Sequence, residues 1–498
     1  MRPSGTGRGG ALPLVLSVVP FWLLATLNSA GYRYGASDQA FYVPAILARL
    51  HPAFFPRDHE LIASQAHLTG IDEVMALLAR LSGLSLPALL GVMYLASLAL
   101  IAAGAWLIAA RVYRSPWTGV ALVAALTLRH AIARTGTNTL EGYFHPRQLA
   151  FGVGALALAA LLRQQRLASL ALVAVAACLH PTTAVWFAVW IGVACVVDDG
   201  RVRVPLALVA LAGAMAAAWA VTLGPLAGRL VVMDPEWLAT LSTKDYLFPL
   251  DWPLDVWLIN LAYLPIILLL YRRRAAAGLV VRFETGLVAG CVALLLVFAL
   301  SLPLNAARVA LAVQFQVPRI FWMLDLLATI YAVWALAEWT AQASRRRAQI
   351  TLAAILLASC ARGGYVLIVR FPDRPIAQIG VADNDWGRAM AWTRTTPSGS
   401  GWLADPMHAV KYGTSVRVSG ERDVFVEAVK DAAIGMYDRG VAIRTRDRLA
   451  ALGDFRKLDA GLARTLAAKY DLDYLVTEGT LPLPVAFESG ALRIYRLR

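Results

Sequence analysis

The chain reads as an α-helical polytopic membrane protein of about eleven transmembrane helices, with a small C-terminal α/β domain on the outer side. Three observations predict this. Of 498 residues, 59% are hydrophobic and only 16% charged, with a mean hydropathy of +0.61, whereas a soluble domain is about half apolar and about a quarter charged. Apolar runs long enough to cross a bilayer recur along the first three quarters of the sequence. The excess of basic residues sits in the short connections between those runs. No Gly-X-Y period, cysteine framework or long polar tract is present, which sets aside fibrous, disulfide-stapled and disordered classes.

A spanning helix needs about 20 mostly apolar residues. Candidates fall at 11–30, 86–110, 117–128, 148–162, 167–179, 182–197, 205–223, 253–271, 285–304, 320–339 and 350–369. Cys178, Cys195, Cys291 and Cys360 all lie inside apolar runs and read as small core residues. From Arg370 onward there are 19 basic and 16 acidic residues, leaving 27 basic and 16 acidic before it. The excess falls at Arg2 and Arg8, Arg111 and Arg114, Arg163 and Arg166, Arg201 and Arg203, Arg272 to Arg274, and Arg345 to Arg347. This is the positive-inside pattern. It accounts for the net charge of +14 without nucleic acid, puts the N-terminus in the cytoplasm, and sends everything after Arg370 outside. The first segment ends in Asn28-Ser29-Ala30, which is similar to a signal-peptidase site.

Four segments are short. The run 167–179 ends at His180-Pro181, and with Arg166 and Arg201 both inside it must form a hairpin whose tip is His180. Such a leg rises about 20 Å, less than the ~30 Å hydrocarbon core, so the tip is expected to be recessed. The segment ending at Leu128, followed by Arg129 and His130, and the one entered through His145-Pro146-Arg147 behave alike. Polar groups at that depth need protein or water around them, so a water-filled cleft open to the outer face is expected. The chain then divides into a membrane domain, 1–369, with a first outer loop at 31–83, and a soluble domain, 370–498. The first loop carries an amphipathic stretch at 39–50. In the soluble domain the pattern predicts a helix near 383–395 capped by Asp383, then a strand at Trp402 to Asp405. Further strands are expected near 423–426, 474–477 and 491–497. Neither a phosphate-binding glycine loop nor a Gly-x-Ser-x-Gly, His-Glu-x-x-His or Cys-x-x-Cys motif occurs.

The residues able to carry chemistry are in the outer connections. Asp38 is a candidate general base or metal ligand, although Ser37-Asp38 taken alone is more often an N-cap for the helix beginning at Gln39. Glu141 and His145, four apart, would share one helical face, and a carboxylate with an imidazole suits a divalent metal, although Pro146 interrupts the pattern. His180 is a helix-end hydrogen-bond partner or a ligand. Arg129, Arg134, Arg147 and Arg319 would line the cleft with guanidinium groups, which bind phosphate bidentately or snorkel to the interface. His51, His59 and His67 read as loop polar groups.

The strings SDQAFYVPAILARL and EGYFHPRQLAF, and the AWTRTTP segment opening the outer domain, together with the order of short helices and loops, resemble bacterial members of the C-type glycosyltransferase (GT-C) superfamily. That superfamily includes protein O-mannosyltransferases, aminoarabinose transferases and the oligosaccharyltransferase catalytic subunit. The resemblance covers nearly the whole chain as a layout. It implies an inverting transfer of sugar from a polyprenyl-phosphate donor to a lipid or glycan acceptor at the outer face of a bacterial inner membrane. Asp38 and Glu141 would be the catalytic acids, and Arg319, Arg147, His145, His180 and Arg129 the substrate contacts. A divalent metal, Mg or Mn, is a possible cofactor. The chain departs from the pattern in having Asp38-Gln39 where several families have two acids, a lone Glu141 without Asp-x-Asp, and no Trp-Trp-Asp-Tyr-Gly string. These departures leave metal use open and speak against a peptide acceptor. The alternatives from other classes are an anionic-lipid or glycolipid transporter or flippase, and a non-catalytic membrane assembly protein.

Overall fold

The structure, a computed structural model, describes residues 11–339 and 344–498; Arg2 and Arg8 lie outside the described residues. All eleven expected apolar segments are helical. Seven helices are long and apolar enough to cross a membrane: Leu86–Val112, Pro181–Asp198, Arg203–Thr222, Leu254–Ala276, Glu284–Ala306, Ala310–Glu338 and Arg345–Arg370, the sixth interrupted at Gln316 and the seventh ending in a π-helical turn. Val18–Asn28, Pro116–Ala125, Pro146–Leu162 and Arg166–Leu179 are shorter apolar helices. The chain is therefore a polytopic helical protein with a small C-terminal sheet.

By contact density the chain forms two compact units. Unit 1 comprises the residues up to Tyr32, Val92–Leu230 and Asp245–Ile376; unit 2 comprises Arg33–Gly91, Val231–Lys244 and Ala377–Arg498. The expected division kept the first outer loop with the membrane helices, whereas the contacts group it with the C-terminal residues.

Unit 1 is a helical bundle packed through small residues. A Cβ on Gly154 would collide with the Phe187 ring, and one on Gly290 with the indole of Trp190, so these glycines let neighbouring helices approach closely. The basic connections gather at one end. Arg274 is fully buried, bonds Glu284 through Nε to Oε1 at 2.6 Å and Nη2 to Oε2 at 3.1 Å, and donates to the Val112 carbonyl at 3.2 Å. The backbone N–H groups of Arg114 and Ser115 donate to Glu338 at 3.0 and 2.8 Å, Arg111 donates to the Leu162 carbonyl, and Arg166 and Arg282 pair with Asp199. At the other end Asn305 donates to the Leu247 carbonyl and Asn260 to that of Ala133, while Arg134 pairs with Asp245 and Arg308 with Asp251. The two sets of connections distinguished by charge in the sequence thus occupy opposite ends of the bundle.

Unit 2 is built on a mixed five-stranded sheet. Its strands are β1 (Gly401–Leu403), β2 (Asp423–Val424), β3 (Tyr474–Thr477), β4 (Val485–Ser489) and β5 (Leu492–Arg496), in spatial order β2-β1-β3-β5-β4. The first three run parallel and the last two pair antiparallel. Strand alternation sends Leu403, Leu475 and Tyr495 to one apolar layer and Trp402, Val476 and Ile494 to the other. β4 escaped the sequence reading: its Glu488 and Ser489 dilute the apolar pattern. The helix near 383–395 is Asp385–Thr393, and its cap is Asn384, which accepts from the Gly387 N–H; the expected cap, Asp383, pairs with Arg388 instead. The amphipathic helix is Gln39–Leu50, and two further helices, His59–Ala66 and Ile71–Ser82, follow it.

A buried ionic network holds these segments together. Arg417 donates to Asp58 at 2.7 Å and to both oxygens of Asp431 at 2.6 and 3.1 Å; Arg444 also bonds Asp58, which accepts from the Val424 N–H as well. Burial raises the Asp58 carboxyl, but Arg417 and Arg444 outweigh it and hold the group down at about 2. Glu427, 1% exposed and 3.9 Å from Arg417, is pushed up to about 8 by burial, with Asp431 adding to the shift against Arg417. Arg417→Met leaves Asp58 and Asp431 buried without this partner. The expected cost is about 3–5 kcal/mol, read as a lower thermal unfolding midpoint of the full chain in detergent. Because the folded state holds the Glu427 proton more tightly than the unfolded chain does, that stabilisation is complete below the ordinary value of 4.5 and is lost as pH rises through about 8. Glu427→Gln is expected to flatten the pH dependence of the midpoint between those two values.

Candidate functional site

Unit 1 brings five of the seven expected site residues into one neighbourhood at the end of the bundle away from the basic connections, with Arg129 at its margin. Pro146–Leu162 and Pro181–Asp198 both start with His-Pro, and in both the histidine is the N-cap. His145 Nδ1 accepts from the Arg147 N–H at 3.0 Å, and His180 Nδ1 from the Thr183 N–H at 3.3 Å and the Thr183 hydroxyl at 2.9 Å. Proline at the first helical position has no N–H to satisfy and a φ already suited to the helix, so the dipeptide is a compact helix start. The imidazole rings lie 6.3 Å apart.

Between Thr127 and Pro146 the chain makes a short antiparallel ribbon, Ala131–Ile132 with Thr137–Asn138, and then an irregular run. Glu141 is in that run, so it does not share a helical face with His145 as the spacing had suggested. Its Oε1 accepts from Arg147 Nη2 at 3.2 Å and from Asn138 Nδ2 at 3.1 Å, and Oε2 is 4.0 Å from Arg129. Gly142 makes the position possible: a Cβ there would come within 2.6 Å of the Ser29 and Gly31 carbonyl oxygens. The Trp322 indole N–H donates to Thr139 at 3.0 Å and the ring stacks on Phe151 with centroids 4.0 Å apart, fixing this loop to the helix Phe321–Glu338. Arg319 lies in the turn Val317–Ile320 that leads into that helix. The neighbours whose electrostatics reach His180 are Arg319, the His145 ring and Arg147.

The electrostatics follow from this inventory. Three helix starts contribute positive dipole ends, two or three guanidinium groups add full charges, and Glu141 is the acid set among them. Such a place attracts an anion. His145 and His180 use Nδ1 to cap helices, and Glu141 Oε1 is held by Arg147 and Asn138. Among the described residues no three of His, Cys, Asp and Glu converge as a ligand set. Glu141, His145 and Arg147 are nearly buried, Arg319 is half-buried and Arg129 has the most open side chain.

Asp38 belongs to unit 2. It occupies the N-cap position of Gln39–Leu50 but makes no capping hydrogen bond; its Oδ1 accepts from Lys430 Nζ at 2.6 Å. The capping role open from sequence is therefore not the one this side chain adopts. Arg134, expected with the other guanidinium groups, pairs with Asp245. The sequence reading named His130 only as a polar residue after a short segment and passed over Asp325, whose side chain meets it at 2.9 Å. The available signal was an ionisable residue inside an apolar helix.

No protein-family model matches the chain, and no curated protein is significantly similar to it.

The capping geometry is testable. His145→Ala and His180→Ala are each expected to cost about 1 kcal/mol, measured as a drop in the thermal midpoint, whereas His145→Asn and His180→Asn, which can still cap, are expected to retain most of it.

Proposed function

We propose that this protein is a membrane glycosyltransferase of GT-C type that moves a sugar from a polyprenyl-phosphate donor to a lipid or glycan acceptor, with inversion. The single observation that carries the reading is the convergence of Arg147, Arg319, His145 and His180 at three helix starts in a bundle of apolar helices. An anion site in such surroundings suits a phosphate carried on a lipid, and a lipid-linked donor needs no nucleotide-binding loop.

In this reading Arg319 meets the donor phosphate, with Arg129 beside the more open part of the cluster and Arg147 behind, oriented by Glu141. The acceptor oxygen forms a bond to the anomeric carbon while the bond from that carbon to the phosphate oxygen breaks, and the phosphate departs with the electron pair. The fixed cations stabilise the charge growing on it, the contribution that commonly dominates such steps. Asp38 takes the acceptor hydroxyl proton. Glu141, bonded to Arg147 and Asn138, acts as a positioning residue. No metal enters the reaction as proposed.

The same reading has all eleven apolar helices in the inner membrane of a bacterium, the basic connections cytoplasmic and unit 2 outside. Asp447→Cys, at an exposed position of unit 2, is expected to react with a membrane-impermeant maleimide in intact spheroplasts; labelling only after lysis reverses the orientation.

The decisive comparison uses wild type, Arg319→Gln and Asp38→Asn, equally folded, incubated with a membrane lipid extract containing polyprenyl-phosphate sugars and followed by mass spectrometry. Wild type is expected to consume donor. Asp38→Asn is expected to bind donor with turnover reduced at least about 100-fold, the scale of general acid–base catalysis, and Arg319→Gln to lose both binding and turnover. Binding without consumption by wild type points to the transport or assembly readings.

A further inference from the structure

Asp38 is not alone in unit 2. Lys430 Nζ, on the short helix Ala428–Ile434, donates to its carboxylate at 2.6 Å and to the Ser37 hydroxyl at 3.2 Å. A second ammonium stands close by. Lys244, 9% exposed, donates to the Val429 carbonyl at 2.9 Å, and its charge acts on both Lys430 and Asp38. Burial, and then the neighbouring Lys430, lower the Lys244 ammonium below its ordinary range, with Asp38 opposing them. Of the acids around Lys430, Glu427 is pushed up to about 8 by burial and Asp431 is held by Arg417. Two lysines from different segments therefore stand beside Asp38, Lys430 bonded to it and Lys244 bonded to the carbonyl next to Lys430.

This arrangement conflicts with Asp38 as a base. An ammonium in contact stabilises the carboxylate and weakens its hold on a proton, while a general base works best with a pKa near the operating pH. Lys430 has to move to another partner before Asp38 can accept a proton, and an arriving anion can take it.

We infer that Lys244 and Lys430 form a binding site for a phosphate group on the acceptor, and that the phosphate takes Lys430 from Asp38 as it binds. The inference rests on the transferase reading and narrows its acceptor to a phosphate-bearing molecule. Lysine is suited to such an exchange, because its ammonium is a compact charge on a flexible stem and can trade one oxyanion for another. The site is distinct in sequence and in unit from the arginine cluster assigned to the donor.

The test titrates inorganic pyrophosphate by calorimetry into the full chain in phosphatidylcholine nanodiscs. Competition between Asp38 and the ligand for Lys430 has a signature that a structural clamp lacks. Asp38→Asn is expected to bind about five-fold more tightly than wild type, the scale of one partly exposed ion pair. Lys244→Gln and Lys430→Gln are expected to lose this isotherm, and Lys430→Arg to retain it. Arg319→Gln is expected to keep it while losing the isotherm of the donor cluster, so failure of the donor reading registers in that variant alone. Unchanged binding in both lysine variants, or no tightening in Asp38→Asn, overturns the proposal. Repeating the titration with phosphatidic acid in the nanodiscs separates the sources. Competition supports a lipid headgroup, and unaltered binding supports a soluble phosphate compound.

Discussion

The guanidinium of Arg417 is the constraint on which unit 2 depends. It is 1% exposed, and a buried charge is tolerated only when nearly every donor finds an oxyanion. Asp58 supplies one from the first loop and Asp431 two from a C-terminal helix, so satisfying one side chain fixes segments more than 350 residues apart in sequence. The consequences spread through the loop. Asp58 stands at the N-cap position of His59–Ala66 yet makes no capping bond, because its oxygens are occupied by Arg417, Arg444 and the Val424 N–H. Asp38 repeats the pattern one helix earlier, its carboxylate turned from the helix start to Lys430. Both acids sit where local preference wants a cap, and in both the stronger charge-assisted bond prevails.

Unit 1 solves a related problem differently. Its helices are apolar nearly throughout, so polar atoms concentrate at their ends and satisfy one another there. Capping by His145 and His180 puts two imidazoles at helix starts where serine or aspartate is more usual. A neutral imidazole accepts the capping bond through one ring nitrogen, as those side chains do through an oxygen. Asn28, Thr127 and Ser359 form a comparable closed set: Asn28 donates to Ser359 at 2.9 Å, Ser359 and Thr127 share a hydrogen bond of 2.6 Å, and Arg362 donates to Asn28.

Much of this was legible in the sequence because hydrophobicity is a local signal. The eleven apolar segments, the amphipathic helix Gln39–Leu50, and the grouping of basic connections all appear in the structure, for each depends on composition over a window of residues. Strand β3, Tyr474–Thr477, came through for the same reason. What failed to show was partnership. Nothing in the spacing of Asp58 and Arg417, or of Asp38, Lys244 and Lys430, announces that the chain joins them. The Glu141 and His145 spacing even suggested a helix, which the Gly142 contact with the Ser29 and Gly31 carbonyls replaces with an irregular path. The cap of Asp385–Thr393 shifted by one residue because Asp383 and Asn384 are both good caps, and Arg388 drew Asp383 away.

The two acids singled out from sequence end in environments that separate their roles. Glu141 is 6% exposed and is held by the Arg147 guanidinium, with Asn138 a second donor and Arg129 near its other oxygen. Moving it would take an acceptor from a buried guanidinium, a costly outcome, so its value lies in holding Arg147 in place. Asp38 is 28% exposed, and its strongest bond is to an ammonium on a flexible side chain. Lys430 can rotate to another oxyanion far more readily than a buried arginine can abandon its acid, because ammonium donors have no fixed fork to re-form. Of the two carboxylates, Asp38 is therefore the one able to release its cationic partner. That ability depends on something arriving to hold Lys430.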